Sequence, residues 1–74
     1  MDITLYSTPT CPKCKILETK LWNKGYEVHR EMDEQVLIDM GLKSVPWLKV
    51  DDGELMDFVT ANEWINNAPE VRPE

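Results

Sequence analysis

The chain has 74 residues, of which 14 are Asp or Glu and 8 are Lys or Arg, so its net charge is −6 at pH 7. This length corresponds to one small domain, and a hydrophobic content of 42% can supply a single core. The acidic balance argues against a nucleic-acid binder, which needs a basic surface to meet phosphates. No apolar stretch approaches the ~18 residues of a transmembrane helix. We therefore expect one domain, with no nucleic-acid partner and no membrane partner.

The N-terminal residues also bear on the compartment. They lack the basic region and the long apolar stretch of a secretory signal, so we expect a cytoplasmic protein whose thiols are kept reduced. Two cysteines cannot form a disulfide framework. Their arrangement as Cys11-Pro12-Lys13-Cys14 therefore indicates chemistry rather than structural stapling.

Charge is distributed unevenly along the chain. Residues 1–30 carry five cations and three anions, whereas residues 31–74 carry three cations and eleven anions. Most of these charged residues are explained as parts of solvent-exposed surfaces. The cysteine pair nevertheless lies in the basic part, with Lys13, Lys15, Lys20 and Lys24 in or shortly after it.

The first half of the chain predicts a βαβ unit. Residues 3–6 form a short β-favouring run and are predicted as a strand. A helix is predicted to follow, because Pro12 suits the first helical position and makes Cys11 the N-cap. Cys14 lies on the apolar face of this helix, and Gly25 is predicted to end it. The second strand is predicted over residues 26–30.

The second half predicts a short helix followed by a hairpin and a last helix. The helix is expected over residues 33–40, and strands over residues 47–50 and 54–58 flank an Asp-Asp-Gly turn. Thr60 and Glu63 have the spacing of a capping box and predict the start of the last helix. Residues 68–74 are predicted to be a disordered tail.

These elements predict an α/β fold in the order β-α-β-α-β-β-α. The βαβ unit requires a right-handed crossover between parallel strands, and the hairpin adds an antiparallel strand. The expected result is a four-stranded mixed sheet with helices on its faces, formed by a single domain over residues 1–67.

The cysteine pair has the properties needed for disulfide exchange. The thiolate is the nucleophile, and a helix N-terminus lowers a thiol pKa through its free N–H groups and partial positive charge. Cys11 is expected at that position, and Cys14 follows one turn later, where it can attack a mixed disulfide on Cys11. Lys13 and Lys15 are positively charged, which is unfavourable near the partially positive start of a helix. Either a Cys11 thiolate offsets this unfavourable interaction, or both lysines point into water.

A zinc site is the main alternative for a C-x-x-C pair. Such a site needs four ligands, and His29 is the only histidine in the chain. We therefore expect no metal site within one chain. The position of the pair after a strand and at the start of a helix favours redox chemistry.

With these motifs in place, the sequence resembles the glutaredoxins of the thioredoxin superfamily from about Ile3 to Ile65. The resemblance lies in Leu5-Tyr6-Ser7 before the cysteine motif, in the Cys-Pro-x-Cys motif itself and in Ser44-Val45-Pro46. It implies a thioredoxin-like fold in which Cys11 is the nucleophile, Cys14 is the resolving thiol, and Pro12 and Lys13 support them.

The resemblance also implies a substrate groove. Pro46 is expected to be a cis-proline facing the cysteine pair, which would expose the backbone of Val45 to an extended substrate segment. Trp47 either shapes this groove or packs in its strand. Tyr6 either lines the site or packs in the core.

The choice of reductant follows from two differences. Glutaredoxins that bind glutathione usually have a Gly-Gly pair and then an acidic pair, where this chain has Met56-Asp57 and Val59-Thr60. A second branch, the glutaredoxin-like hydrogen donors of ribonucleotide reductase, is similar in size and is reduced by a thioredoxin-reductase-type flavoprotein. Phe58 matches a phenylalanine of that branch, whereas Asp57 replaces its usual glycine.

The sequence therefore predicts a monomeric dithiol–disulfide oxidoreductase without a bound cofactor. Its expected partners are a disulfide-containing protein, with ribonucleotide reductase as one candidate, and a flavoprotein reductase. Three alternatives remain open at this point. They are a glutathione-dependent glutaredoxin, a dimeric iron–sulfur module held by Cys11 of two chains, and a domain in which the cysteine pair is only a structural staple.

Overall fold

Residues 2–71 form a small α/β domain with a three-stranded mixed sheet and three helices. The structure is a computed structural model that describes residues 2–71. In chain order the elements are β1 Ile3–Tyr6, α1 Pro12–Asn23, β2 His29–Glu31, α2 Glu34–Asp39, β3 Trp47–Val50 and α3 Phe58–Asn67. The strand order is β2-β1-β3, in which β1 is parallel to β2 and antiparallel to β3.

The core lies between the sheet and the two longer helices. In β1 and β3, Leu5 lies opposite Leu48 and Ile3 lies opposite Val50, so their side chains share one face of the sheet. Helices α1 and α3 pack on each other, and each also contacts the sheet. The buried residues that join them are Ile3, Leu5, Cys14, Leu17, Leu21, Tyr26, Leu48, Ala61 and Ile65.

The predicted limits of α1 are confirmed at both ends. Cys11 is the N-cap and Pro12 is the first helical residue. After the helix, Gly25 has a φ of 89°, and its N–H donates to the carbonyl of Trp22 at 2.9 Å. The N–H of Tyr26 donates to the carbonyl of Leu21 at 3.0 Å, which completes a Schellman motif. The helix therefore begins at the cysteine motif and ends at the predicted glycine.

The structure corrects the predicted fourth strand over residues 54–58. Met56 forms only an isolated bridge with Leu48, through backbone hydrogen bonds of 2.8 and 2.9 Å. Phe58 is already the first residue of α3, so the chain turns into a helix directly after this bridge. Among residues 2–71 the sheet therefore has three strands rather than four.

The start of α3 also differs from the prediction. Its N-cap is Asp57, whose Oδ1 accepts the N–H of Thr60 at 2.9 Å. Thr60 is thus the third helical residue and not the cap. Both Asp and Thr are good N-caps, but Asp57 lies where the chain leaves the bridge to β3, and that position decides which of them begins the helix.

The strand β2 is shorter and later than predicted, at residues 29–31 instead of 26–30. Tyr26 is buried instead of paired, and its ring lies 6.1 Å from that of Trp64. Its hydroxyl donates to the carbonyl of Pro69 at 2.6 Å. Tyr26 therefore joins the end of α1 to the chain beyond α3.

The predicted disordered tail, residues 68–74, is described as far as Val71, and its last three residues lie outside the described part. The N–H of Val71 donates to the carbonyl of Lys24 at 2.6 Å. The Lys24 ammonium donates in turn to the carbonyl of Ala68 at 2.6 Å. The first part of this segment is therefore hydrogen-bonded to the end of α1.

Two glycines offer a matched test of these turns. Gly25 and Gly41 both have positive φ, at 89° and 75°, so an alanine at either position costs about 1–2 kcal/mol of backbone strain. A Cβ at Gly25 would also collide with the carbonyl of Val71, whereas a Cβ at Gly41 meets nothing within 4 Å. We expect Gly25→Ala to lower the free energy of unfolding more than Gly41→Ala does. Urea unfolding of both variants measures this, and equal losses would contradict the packing of Val71 on α1.

The cap of α3 provides a pH-dependent test. The hydrogen bond from the Thr60 N–H lowers the pKa of Asp57 from its ordinary value of 3.8. A lowered folded-state pKa stabilises the fold at pH values above the unfolded-state pKa, and this stabilisation is lost as pH falls through the folded-state pKa.

Asp57→Asn keeps a capping oxygen but has no charge. We expect wild type to be more stable than Asp57→Asn at neutral pH. This difference in stability should disappear as pH falls below about 4 and Asp57 becomes protonated. Thermal unfolding across pH measures this difference, and a constant difference would refute the assignment. Asp57→Ala, which loses the cap as well, should be less stable than both throughout.

Candidate functional site

The two cysteines lie together at the N-terminus of α1. Their Cα atoms are 5.3 Å apart, and their sulfur atoms are within disulfide-bonding distance. The Cys11 Sγ also accepts the N–H of Cys14 at 3.1 Å, as an N-cap side chain does. Cys14 is only 3% exposed, whereas Cys11 is half-buried. The arrangement therefore has a partly exposed cysteine at the end of the helix and a buried cysteine one turn inside it.

The electrostatic surroundings of Cys11 favour negative charge. The N-terminus of α1 carries a partial positive charge, and its first turn contains no acidic residue. Lys13 and Lys15 are both exposed. The Lys13 ammonium lies 5.3 Å from the centroid of the Phe58 ring, a distance typical of a cation–π contact. Lys13 thus connects the start of α1 with the start of α3.

A groove of about 310 Å³ lies beside Lys13. The peptide bond between Val45 and Pro46 is cis, as the resemblance implied. The structure brings four of the predicted site residues to this groove, and its lining consists of Lys13, Ser44, Val45, Pro46, Trp47, Asp57, Phe58 and Val59. An extended segment in this groove would lie next to the cysteine motif, since Lys13 stands between the two cysteines.

The backbone of Val45 is open towards a ligand. Within the described chain, its N–H and carbonyl make no hydrogen bond to another residue. Val45 is also only half-buried, so its polar backbone groups do not require an internal partner. These groups can pair with an extended chain in the way that a sheet edge pairs with an added strand.

The two aromatic residues proposed for the site differ in position. Trp47 lines the groove, but its indole Nε1 is buried and has no hydrogen-bond partner among the described residues. Tyr6 is 8% exposed, lies opposite Trp47 in the sheet and is not part of the groove lining. Tyr6 is therefore buried, on the face of the sheet opposite to Leu5, whereas Trp47 contributes to the wall of the groove.

A second, smaller cavity lies on the other side of the cysteines. It measures about 110 Å³ and is lined by Leu5, Ser7, Thr8, Pro9, Cys11, Cys14, Lys15 and Glu18. Glu18 is buried, and its Oε2 lies 3.2 Å from the Nε of Arg30 on β2. The sequence motifs do not single out this carboxylate. The available signal was its spacing, since Glu18 lies four residues after Cys14 and therefore on the same helix face.

Asp57 has a structural role at the edge of the groove. Its carboxylate caps α3 through the Thr60 N–H and is fully exposed. The hydrogen bond from the Thr60 N–H lowers the pKa of this carboxyl and so favours its ionised form. The groove thus has a cation, Lys13, and an anion, Asp57, in its lining.

Residues 2–71 contain no group of three or more His, Cys, Asp or Glu side chains that is arranged to hold a metal ion. None of the described helices has the length and apolar character needed to cross a membrane.

The cysteine pair and the groove beside Pro46 together form the candidate site. It combines an accessible and a buried sulfur at a helix N-terminus with a groove next to an open stretch of backbone. Comparisons of the chain with protein-family models, with curated proteins and with solved structures find no match.

Proposed function

We propose that the protein is a glutaredoxin-type dithiol–disulfide oxidoreductase with a thioredoxin-like fold, which reduces disulfides in other proteins. The observation that carries the proposal is the asymmetric cysteine pair. Cys11 and Cys14 lie within disulfide distance at the N-terminus of α1, with Cys11 accessible and Cys14 buried. A structural staple would not need one sulfur to remain accessible at a helix terminus.

The fold proposal rests on the order and direction of the elements. The unit β1-α1-β2 has parallel strands, and β3 then pairs with β1 in the antiparallel direction. The cis bond to Pro46 lies directly before β3 and beside the groove. These features support a thioredoxin-like arrangement although the sheet has three strands.

The proposed reaction proceeds in two exchanges. The Cys11 thiolate attacks one sulfur of the substrate disulfide, so a Cys11–substrate disulfide forms and the other substrate sulfur leaves as a thiolate. Cys14 then loses its proton and attacks the Cys11 sulfur. This step forms the Cys11–Cys14 disulfide and releases the second substrate thiolate, and the two substrate thiolates take up protons. Two electrons have passed from the protein to the substrate.

The groove supports protein substrates over small disulfides. An extended segment can pair with the open backbone of Val45 while its sulfur reaches Cys11. Ribonucleotide reductase is one substrate of this kind that the resemblance suggests. We place the reaction in the cytoplasm, where protein disulfides are kept reduced, and propose that a monomer carries it out without a bound cofactor.

For re-reduction of the disulfide, we propose a thioredoxin-reductase-like flavoprotein. Glutathione is an anionic tripeptide, and Asp57 places a negative charge in the groove where it would lie. Like charges in such proximity disfavour binding and slow association. One observation favours glutathione instead, because the Lys13 ammonium can pair with one of its carboxylates.

The roles of the two cysteines can be separated by substitution. We expect Cys14→Ser to attack a protein disulfide through Cys11 and then to accumulate as a mixed disulfide, because the resolving thiol is missing. Cys11→Ser should form no adduct, because Cys14 is buried. Mass spectrometry of each variant after mixing with an oxidised protein substrate measures both outcomes. Normal turnover by Cys14→Ser without added thiols would contradict the dithiol mechanism.

The reductant is decided by a direct comparison on one preparation of the oxidised protein. We expect efficient reduction by NADPH with a thioredoxin-reductase-type flavoprotein, and poor reduction by millimolar glutathione with its own reductase. Steady-state NADPH consumption measures both rates. Asp57→Asn serves as an internal check, since removing the charge should raise the glutathione rate if repulsion limits it. Faster turnover of wild type with glutathione would reverse the proposal.

A further inference from the structure

The outer face of α1 forms a second groove that shares no lining residue with the one beside Pro46. It has a volume of about 490 Å³ and is lined by Pro12, Lys15, Ile16, Thr19 and Lys20. Ile16 is 46% exposed, although it lies in the middle of a helix with a well-packed inner face. Pro12 directly follows Cys11, so this surface extends from the accessible sulfur along the helix. We call it the α1 face.

The charge of α1 is one-sided. Its outward-pointing charged residues are lysines, and its only acidic residue, Glu18, is buried and paired with Arg30. The remainder of the chain has the opposite balance, because residues 31–74 carry eleven anions and three cations. The cysteine motif therefore opens a helix whose exposed charges are positive, in a chain that is acidic as a whole.

The lysines of α1 differ in how far they are already engaged. The Lys20 ammonium donates to the side-chain oxygens of Asn62 and Asn66 at 2.5 and 3.2 Å. Lys24 donates to backbone carbonyls at the end of α3. The Lys15 side chain, by contrast, is exposed, and its ammonium makes no hydrogen bond or ion pair with a described residue. It stands next to Ile16 and is available to a partner.

We propose that the α1 face selects substrate proteins whose disulfide is flanked by carboxylates and an apolar side chain. This inference rests on the proposed oxidoreductase function and adds a substrate class to it. A partner whose sulfur reaches Cys11 comes close to Pro12, the next residue, and the rest of that partner can extend along the α1 face. Carboxylates on that partner meet Lys15, and an apolar side chain covers Ile16. A basic partner would place its cations against the same lysine and be repelled.

Two synthetic peptides test this selectivity directly. Both contain the same intramolecular disulfide and a leucine, and they differ only in flanking glutamates or flanking lysines. Reduced protein, freed of reductant, is mixed with each peptide, and the rate of Cys11–Cys14 oxidation is followed by acid quenching and mass spectrometry. We expect the glutamate peptide to react roughly three- to tenfold faster at low ionic strength. The ratio should approach one at about 0.5 M salt, where exposed charges are screened.

The ratio of the two rates is the decisive quantity, because any change in the reactivity of the thiols affects both peptides equally. Lys15→Gln should reduce this ratio. Lys49→Gln is the matched control. Lys49 follows the buried Leu48 in β3 and so lies on the sheet face away from α1. Ile16→Ser, at an exposed position, should slow both peptides by removing the contact with their leucine while leaving the ratio unchanged.

Several outcomes would overturn the inference. One is equal oxidation rates with the two peptides. Another is a fall in the ratio of the glutamate-peptide rate to the lysine-peptide rate that is as large in Lys49→Gln as in Lys15→Gln. A dimer that dissociates in Lys15→Gln, detected by sedimentation, would assign the α1 face to a second copy of this acidic chain. Salt dependence confined to the reaction with a flavoprotein reductase would assign it to the reductase. The proposed function itself fails in a different way, since neither peptide would then oxidise the cysteine pair.

Discussion

The start of α1 directly at the cysteine motif is the constraint on which the rest of the structure depends. Pro12 has no N–H and a fixed φ, so the helix begins there without losing a hydrogen bond. Cys11 is consequently the cap, and its sulfur accepts the N–H of Cys14. One helical turn then brings both sulfurs together while giving them different exposure. The accessible and the buried thiol are thus consequences of one backbone position.

The packing of α1 against α3 holds the substrate side of the site. Lys13 contacts Phe58 at the first turn of both helices, and Lys24 donates to the last carbonyls of α3. The C-terminal end of a helix carries a partial negative charge, so a lysine there is favourable. The two contacts link α3 to α1 at both ends. The groove between Lys13, Pro46 and Phe58 therefore depends on how these helices meet, and not on any single loop.

Glu18 shows how the site and the core are connected. A carboxylate on the inner face of α1 loses hydration, and Arg30 from the neighbouring strand compensates for part of that loss. The same residue lines the small cavity next to Cys14. The basic outer face of α1 and its acidic residue inside thus belong to one helix. The helix presents only positive charge to an incoming partner, because its negative charge is turned inwards.

Local signals in the sequence determined β1, β3 and the ends of the first two helices. Pro12 at the start of α1 and Gly25 after its end act within a few residues, and the structure has both where the sequence predicts them. The cysteine pair was likewise identified by spacing alone. Where two local signals in the sequence compete, tertiary contacts decide between them. Asp57 and Thr60 are both good caps, and the bridge between Met56 and Leu48, which takes the place of the predicted fourth strand, leaves Asp57 at the start of α3.

The site follows the same division. The sequence alone determined that Cys11 and Cys14 form a pair at a helix N-terminus, because three residues of one helix separate them. Only the tertiary structure buried Tyr6 in the sheet, placed Trp47 in the groove wall and buried Glu18 beside Cys14. The physical reason is that burial depends on which elements pack together. A capping residue or a helical turn is settled by neighbours in the chain, whereas a groove or a buried charge is settled by residues distant in sequence.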